Sequence, residues 1–274
     1  DEHPMILNVR NAVIDLENGT PIKPAREHYC MRQANVRFDA GARAPQWEAF
    51  LERIFDADQE LISFAQRALG YGLTAHTSEQ CLFFLYGTGA NGKSTLLNVI
   101  EDLLGDYVST SPFETFLERK TDKVSNDLAR LCGPRMVIAS EPAKNRRLSE
   151  GLVKQITGGD KITARFLYQE DFEFSPRFKI FMMANHKPTI SETTDGIWRR
   201  LRMLPFTQKI PLEEQDRELT DKLKKEKPGI LNWLLAGCID WLKQGLAPPA
   251  SVTEATEAYR NEMNHFGRFA DECL

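Results

Sequence analysis

The chain lacks the features that would tie it to a bilayer, a metal cluster or an oxidising compartment. Its longest apolar stretches, such as Cys81 to Tyr86 and Ile180 to Ala184, fall far short of the roughly 20 residues needed to span a bilayer, and no charged-then-apolar leader opens it. Five scattered cysteines (Cys30, Cys81, Cys132, Cys238, Cys273) form neither C-x-x-C spacing nor an even framework, which favours reduced thiols over disulfides or zinc. There is no internal repeat and no low-complexity tract. Nor is there an excess of positive charge. A formal net charge of −4 argues against a generalist polyanion-coating protein, so any contact with nucleic acid must be local. The first residue is Asp1 rather than Met, as expected of a piece of a longer protein.

What is present is one run of high information. Leu82 to Tyr86, a buried-strand pattern, feeds directly into Gly87-Thr88-Gly89-Ala90-Asn91-Gly92-Lys93-Ser94, which reads G-x-x-x-x-G-K-S. The glycines let backbone N–H groups turn inward around phosphates, Lys93 supplies a point charge for the β and γ oxygens, and the Ser94 hydroxyl can ligate Mg²⁺. An amphipathic helix predicted from Ser94 to Leu104 aims its N-terminal dipole at the same phosphates. Gly87 to Thr95 are therefore the expected ATP contacts, with ATP and Mg²⁺ as cofactors.

Around this motif the chain divides into three parts. Residues 1–78 read as a β-rich stretch with an Asn18-Gly19 turn, followed by a helical region. Within that region Trp47, Phe50, Leu51, Ile54 and Phe55 recur at helical spacing and are read as core packing without chemistry. From 79 to 210 short apolar runs alternate with helical or loop segments, the pattern of a parallel α/β sheet. From 211 to 274 the pattern is helical: a charged helix over Glu213 to Glu226, a break at Pro228-Gly229, an apolar helix over Ile230 to Gly245, and a polar helix from Thr253.

A phosphate-binding loop alone does not choose among NTPase classes, so the residues behind it matter. Met136 to Ser140 is an apolar run ending in Glu141, the placement of a carboxylate that orients and polarises an attacking water. Phe178 to Ala184 repeats the design with Asn185 at its tip, an amide that can bond both the water and a γ-phosphate oxygen. Ile197-Trp198-Arg199-Arg200-Leu201 then places guanidinium groups after that strand. Arg is the residue that stabilises charge on a transferring phosphoryl group, often from a neighbouring subunit.

With these residues the chain closely resembles the superfamily 3 helicases, specifically the helicase part of phage and plasmid primase–helicases and their poxvirus relative. The resemblance rests on the P-loop, Glu141, the segment Lys154 to Tyr168, Asn185, and Arg199-Arg200 with Pro205-Phe206. It extends upstream through Arg67 to Tyr71 and downstream through Gly229 to Leu234 and Tyr259 to Glu262. It implies an AAA+-like P-loop core, an ATP-driven homo-hexameric ring, and translocation on single-stranded DNA during replication. It further implies an accompanying primase domain or partner and a place in the cytoplasm of a host cell. Lys93, Glu141, Asn185, Arg199 and Arg200 would be its catalytic residues, with Ser94 and Glu141 at the metal. One departure concerns Ser140, which stands where many P-loop NTPases carry a Mg²⁺-holding Asp. The alternatives to a helicase are a nucleotide-gated origin-binding or assembly module with weak unwinding, and a P-loop phosphotransferase.

The DNA path is read from Ile162 to Phe174, whose strand-like residues flank Gln169-Glu170-Asp171 as in a β-hairpin. In the resembling family this hairpin projects into the ring pore. Lys161 and Arg165 are the expected phosphate contacts, while Tyr168 and Phe166 either stack on bases or pack the hairpin. Arg119, Lys120 and Lys123 form a second basic loop, read as a solvated one.

Overall fold

The computed structural model describes residues 3–28, 30–118, 126–140, 146–191 and 194–264. An antiparallel meander opens the chain: β1 (Ile6–Val9), β2 (Ala12–Asp15) and β3 (Thr20–Ile22). The expected Asn-Gly turn joins the last two. Asp15 Oδ1 accepts from the Glu17 backbone N–H at 2.9 Å, Asn18 Oδ1 accepts from that of Thr20 at 2.9 Å, and Gly19 supplies a φ of +70°. Next come α1 (Pro45–Ile54), with Pro in its first turn, and α2 (Gln59–Gly72), capped by Asp58, whose carboxylate accepts from Leu61 N–H at 3.0 Å.

The central region begins with β4 (Leu82–Tyr86) and α3 (Lys93–Leu104), then β5 (Val108–Pro112), α4 (Asn126–Ala129), β6 (Met136–Ser140) and α5 (Glu150–Gly158). It continues through β7 (Ile162–Ala164), β8 (Phe172–Phe174), β9 (Lys179–Ala184), α6 (Asp195–Trp198) and β10 (Leu201–Pro205). Five of these strands form one sheet in the order β10-β4-β9-β6-β5, with every neighbouring pair parallel. This is the α/β core with a parallel sheet that the sequence pattern predicts. Both faces are covered, which explains why the strands are continuous apolar runs rather than alternating ones. Phe83, Leu85, Ile138 and Phe181 face the core shared with α1, α2 and α3, whereas Leu82, Phe84, Val137 and Met182 face α5, α6 and Tyr259. The register levels the carboxyl ends of the central strands, with Tyr86 opposite Ala184 and Met183 opposite Ser140. β7 and β8 pair antiparallel as a separate hairpin, as predicted.

The other end of the sheet is closed by two buried cations. Arg135 donates to the carbonyls of Leu73, Ile6 and His3 and lies 4.6 Å from the Tyr107 ring centroid. Lys179 donates to the carbonyl of Thr74 and lies 4.8 Å from the Tyr71 ring centroid. Together they staple the meander and the α2–β4 connection under the sheet.

The C-terminal region is α7 (Leu219–Lys224), α8 (Lys227–Gln244) and α9 (Ala250–Met263). The charged helix is shorter than expected from Glu213 to Glu226. Asp216 Oδ1 accepts from the Glu218 backbone N–H at 2.9 Å, a local bond that competes with helix, so a short 3₁₀ turn at Leu212–Glu214 is followed by α-helix only from Leu219. The predicted break between the charged and apolar helices falls two residues upstream of Pro228-Gly229, at Lys225 and Glu226. Pro228 and Gly229 lie in the first turn of α8, where a missing proline N–H costs nothing, and a Cβ on Gly229 would fall 2.3 Å from the Arg43 carbonyl oxygen. α9 starts at Ala250, ahead of the predicted Thr253. Among the described residues no helix is long and apolar enough to cross a membrane.

α2 and α8 touch backbone to backbone, joining the N-terminal and C-terminal regions. A Cβ on Gly70 would lie 2.2 Å from Cys238 N, and one on Gly237 would lie 2.1 Å from the Gln66 carbonyl oxygen. Neither obstacle is the end of a flexible side chain. Gly70→Ala and Gly237→Ala should each lower unfolding free energy by about 1–3 kcal/mol through overpacking. Gly151→Ala in α5, where nothing lies within 4 Å, should be neutral or stabilising by up to about 1 kcal/mol. Urea denaturation midpoints of the three variants check this ordering.

Candidate functional site

The loop between β4 and α3 crosses the carboxyl edge of the sheet, where open α/β sheets bind their ligands. Its backbone needs left-handed geometry at Gly89 (φ +93°), Ala90 (φ +50°) and Gly92 (φ +85°). A Cβ on Gly92 would meet Ile54 Cγ2 at 2.5 Å, and one on Gly87 would meet the Phe206 carbonyl oxygen at 2.3 Å, so both glycines are fixed by close approach. At Gly89 nothing lies within 4 Å, which leaves the inner side of the loop open. A cavity of about 220 Å³ sits there, lined by Gly89, Gly92, Lys93, Ser94, Thr95 and Asn185 among others. Gly92 caps α3 without any side-chain bond, so the first N–H groups of this helix have no side-chain cap.

Lys93 lies at the bottom of the cavity and is 4 % exposed. Its ammonium donates to the Gly87 carbonyl at 2.8 Å, Asn91 Oδ1 at 2.9 Å and Asn185 Oδ1 at 3.4 Å. All three acceptors are neutral, and burial pushes its pKa below the usual lysine value. Asn91 is fixed in turn by donating to the Phe206 carbonyl at 3.1 Å. A desolvated cation, an open glycine cradle and a bare helix N-terminus fit a polyphosphate.

Asn185 follows the end of β9 and so stands beside the loop that follows β4. Ser140 ends β6 opposite Met183, whose Sδ lies 3.4 Å from Ser94 Oγ, so Ser140 and Ser94 border the same corner. Glu141, expected as catalytic acid and metal ligand, lies outside the described residues, as do Arg119, Lys120 and Lys123. Among the described residues no cluster of three or more His, Cys, Asp or Glu could hold a metal ion. Of the expected metal ligands, Ser94 alone is described, and its hydroxyl side is exposed.

The two arginines expected to act together are not equivalent. Arg200 is 8 % exposed; its Nε donates to Thr157 Oγ1 at 3.0 Å, and its Nη1 donates to the Gly196 carbonyl. It joins α5 to α6 within its own chain, a tie that the nucleotide role expected of Arg200 does not include. Arg199 is exposed on the rim of a groove of about 270 Å³ that also includes Asp195, Arg202, Thr256 and Arg260. It lies just before β10, whose Leu201 pairs with Leu82 at the start of β4. About 13 Å of strand therefore separates Arg199 from the level of its own P-loop.

On the hairpin, Lys161 lies 3.6 Å from Glu173 and Arg165 3.6 Å from Asp171, all well exposed. Phe166 stacks on Phe172 with centroids 5.7 Å apart within the hairpin and remains 37% exposed. Tyr168 is 96 % exposed at the tip, with a φ of +64°.

One part of the site was not anticipated. A second cavity, about 460 Å³, opens beside Ala90, Gly92 and Thr95 and is walled by Phe50, Arg53 and Ile210. The Ile210 N–H donates to the Ala90 carbonyl at 2.8 Å, and Arg53 bonds Glu214 at 2.5 Å, tying α1 and the segment after β10 around it. The stripe on α1, read as packing alone, thus also borders the loop. The only sequence signal was its position ahead of the P-loop.

Residues 1–56 match the D5 N-terminal-like family, and residues 85–200 match a family of unknown function, DUF5906. The chain is 30% identical to a protein of Acanthamoeba polyphaga mimivirus provisionally named helicase L207/L206, over 100% of this chain and 31% of the relative. It is 29% identical to the provisionally named helicase 022R of Frog virus 3, over 82% of this chain and 25% of that one. It is 24% identical to the provisionally named primase C962R of African swine fever virus, over 99% of this chain and 31% of the relative. The chain thus spans about a third or less of these relatives. In fold it is similar to the apo NrS-1 C-terminal region, with a TM-score of 0.56 at 12% identity, covering 81% of this chain and 55% of that one.

Lys93→Met keeps side-chain bulk and removes the desolvated charge. Because its acceptors among the described residues are all neutral, the melting temperature of the nucleotide-free protein should stay the same or rise. Affinity for a nucleoside triphosphate should fall about ten- to hundred-fold, the worth of charge-assisted hydrogen bonds. Thermal melts paired with titration calorimetry test both halves.

Proposed function

We propose, for a chain that belongs to the primase–helicase family of these viral proteins, that it is an ATP-driven, superfamily 3-type motor acting on single-stranded DNA as a homo-hexameric ring. The observation that carries this reading is the meeting of Lys93, Asn91 and Asn185 at the carboxyl edge of adjacent parallel strands, around an open glycine cradle. In it, Gly87 to Thr95 hold the triphosphate, Ser94 ligates Mg²⁺, and Glu141 activates water at the end of β6. Asn185 touches the γ-phosphate and the water. The cavity beside Phe50 and Ile210 takes the base and ribose.

Arg199 cannot serve its own nucleotide from the amino end of β10, so it acts on the nucleotide of an adjacent subunit. The hairpin supplies the DNA contact. Its ion pairs are exposed and worth about 0–1 kcal/mol each, so Lys161 and Arg165 can exchange Glu173 and Asp171 for phosphates at little cost. Tyr168 offers a face to bases. A primase domain or partner coupled to the motor completes the reading.

Hydrolysis should rise steeply with protein concentration or with single-stranded DNA. Glu141→Gln should bind ATP and lose turnover. Mixing Lys93→Ala with Arg199→Ala protein should restore activity at interfaces that pair an intact P-loop with an intact arginine. Arg200→Ala should instead lower the melting temperature. An enzyme fully active as a strict monomer overturns the ring reading.

Replacing Lys161 and Arg165 together by Ala should leave basal hydrolysis intact and abolish strand displacement. Each phosphate contact contributes a slope of about −0.7 in log affinity against log salt, so the double variant should bind single strands with visibly shallower salt dependence. A wild-type slope with normal unwinding would assign DNA elsewhere. Loss of DNA binding without any unwinding by the wild type favours an assembly module.

A further inference from the structure

The loop after Asn185 carries a cation that the nucleotide chemistry does not use. Lys187 Nζ lies 5.0 Å from the ring centroid of Tyr86 and 5.0 Å from that of Tyr259, between the two. It also donates to Glu262 at 2.8 and 3.0 Å, and its side chain is 19% exposed. Tyr86 is the last residue of β4, directly ahead of Gly87, whose carbonyl holds Lys93. Tyr259 is fully buried on α9; its hydroxyl donates to the Pro188 carbonyl, next to Lys187. On its other side the Tyr259 ring meets Trp198 edge to face at 5.3 Å, and Trp198 precedes Arg199.

These contacts form a continuous path. It runs from Lys93 to Asn185 at 3.4 Å, along the backbone to Lys187, through the Tyr259 ring to Trp198, and ends at Arg199. Each step is a hydrogen bond, a packed ring, a charge held over a ring face, or adjacent backbone. Between the two charged ends, Lys187 is the charged joint, touching the P-loop strand and α9 at once. The loop that carries Lys187 cannot shift without disturbing its contacts with the two rings and Glu262.

Resting on the motor reading above, we propose that Lys187 is a positioning residue that couples Asn185 at one nucleotide site to Arg199 at the neighbouring one. It touches neither nucleotide. Its effect is on turnover and on communication between subunits, with substrate binding untouched, because the P-loop contacts do not pass through it.

The test is steady-state ATP hydrolysis by the 274-residue chain with single-stranded DNA, comparing wild type, Lys187→Met, Lys187→Arg and Glu262→Gln. Met fills the space between the rings and removes only the charge, whereas Arg keeps a cation over both faces and can bond Glu262. For Lys187→Met the expected result is a KM for ATP within about two-fold of wild type, with kcat reduced about two- to thirty-fold, the span of coupling changes seen on such paths. The sigmoidal dependence on ATP should flatten. Lys187→Arg should restore both, Glu262→Gln should give a weaker version of the Met phenotype, and melting temperatures should stay close to wild type. The proposal is overturned if Lys187→Met keeps wild-type kcat and sigmoidicity. It is equally overturned if KM, kcat and melting temperature fall together and Arg does not rescue, since that pattern is a structural role. A wild type without hydrolysis at any protein or DNA concentration overturns the motor reading itself.

Discussion

An ammonium removed from water and held by neutral oxygens is an incomplete electrostatic arrangement, and among the described residues the architecture of this protein is organised around one. Lys93 is almost fully buried, with a backbone carbonyl and two amide oxygens as its described partners. A carboxylate would settle that charge and close the site. Neutral dipoles keep the ammonium in place while leaving most of its field for an incoming anion. To place such a group, three things must arrive at one edge: a helix start, a glycine loop and the ends of parallel strands. The sheet order β10-β4-β9-β6-β5 accomplishes this, because the P-loop strand β4 lies directly beside β9, which delivers Asn185.

The parts legible in the sequence are those governed by local rules. The Gly87 to Ser94 run, the alternation of apolar strands with helices, the Asn18-Gly19 turn and the hairpin around Gln169 to Asp171 all follow from backbone geometry and short-range pattern. What was not legible depends on contacts between distant segments. Pro228-Gly229 marks a break in sequence, and the break falls just ahead of the pair; what the sequence does not show is that Gly229 is required by the Arg43 carbonyl inside the first turn of α8. Arg199 and Arg200 are indistinguishable as letters. Only the packing of Thr157 and Gly196 against the second of them separates an exposed guanidinium from a buried tie. The cavity against α1 was hidden for the same reason, since its walls come from Phe50, Ile210 and the P-loop itself.

A comparison of the two ends of the sheet sharpens that point. Arg135 and Lys179 are as deeply buried as Lys93, and burial lowers the pKa of all three. Yet the first two hold carbonyls from residues 3–6 and 73–76 and lie over tyrosine rings, in tight packing that joins the N-terminal meander to the core. Burial and a depressed pKa therefore do not identify the functional cation. Open volume does: Lys93 borders a cavity of about 220 Å³, whereas the other two line none of the cavities around the P-loop. A perturbed lysine is a site only where something can reach it. The same criterion separates Arg199 on its groove from Arg200 beneath it. Arg199 lies exposed on the rim of a groove just before the amino end of β10, a strand's length from its own P-loop, so the groove leaves it accessible where Arg200 is not.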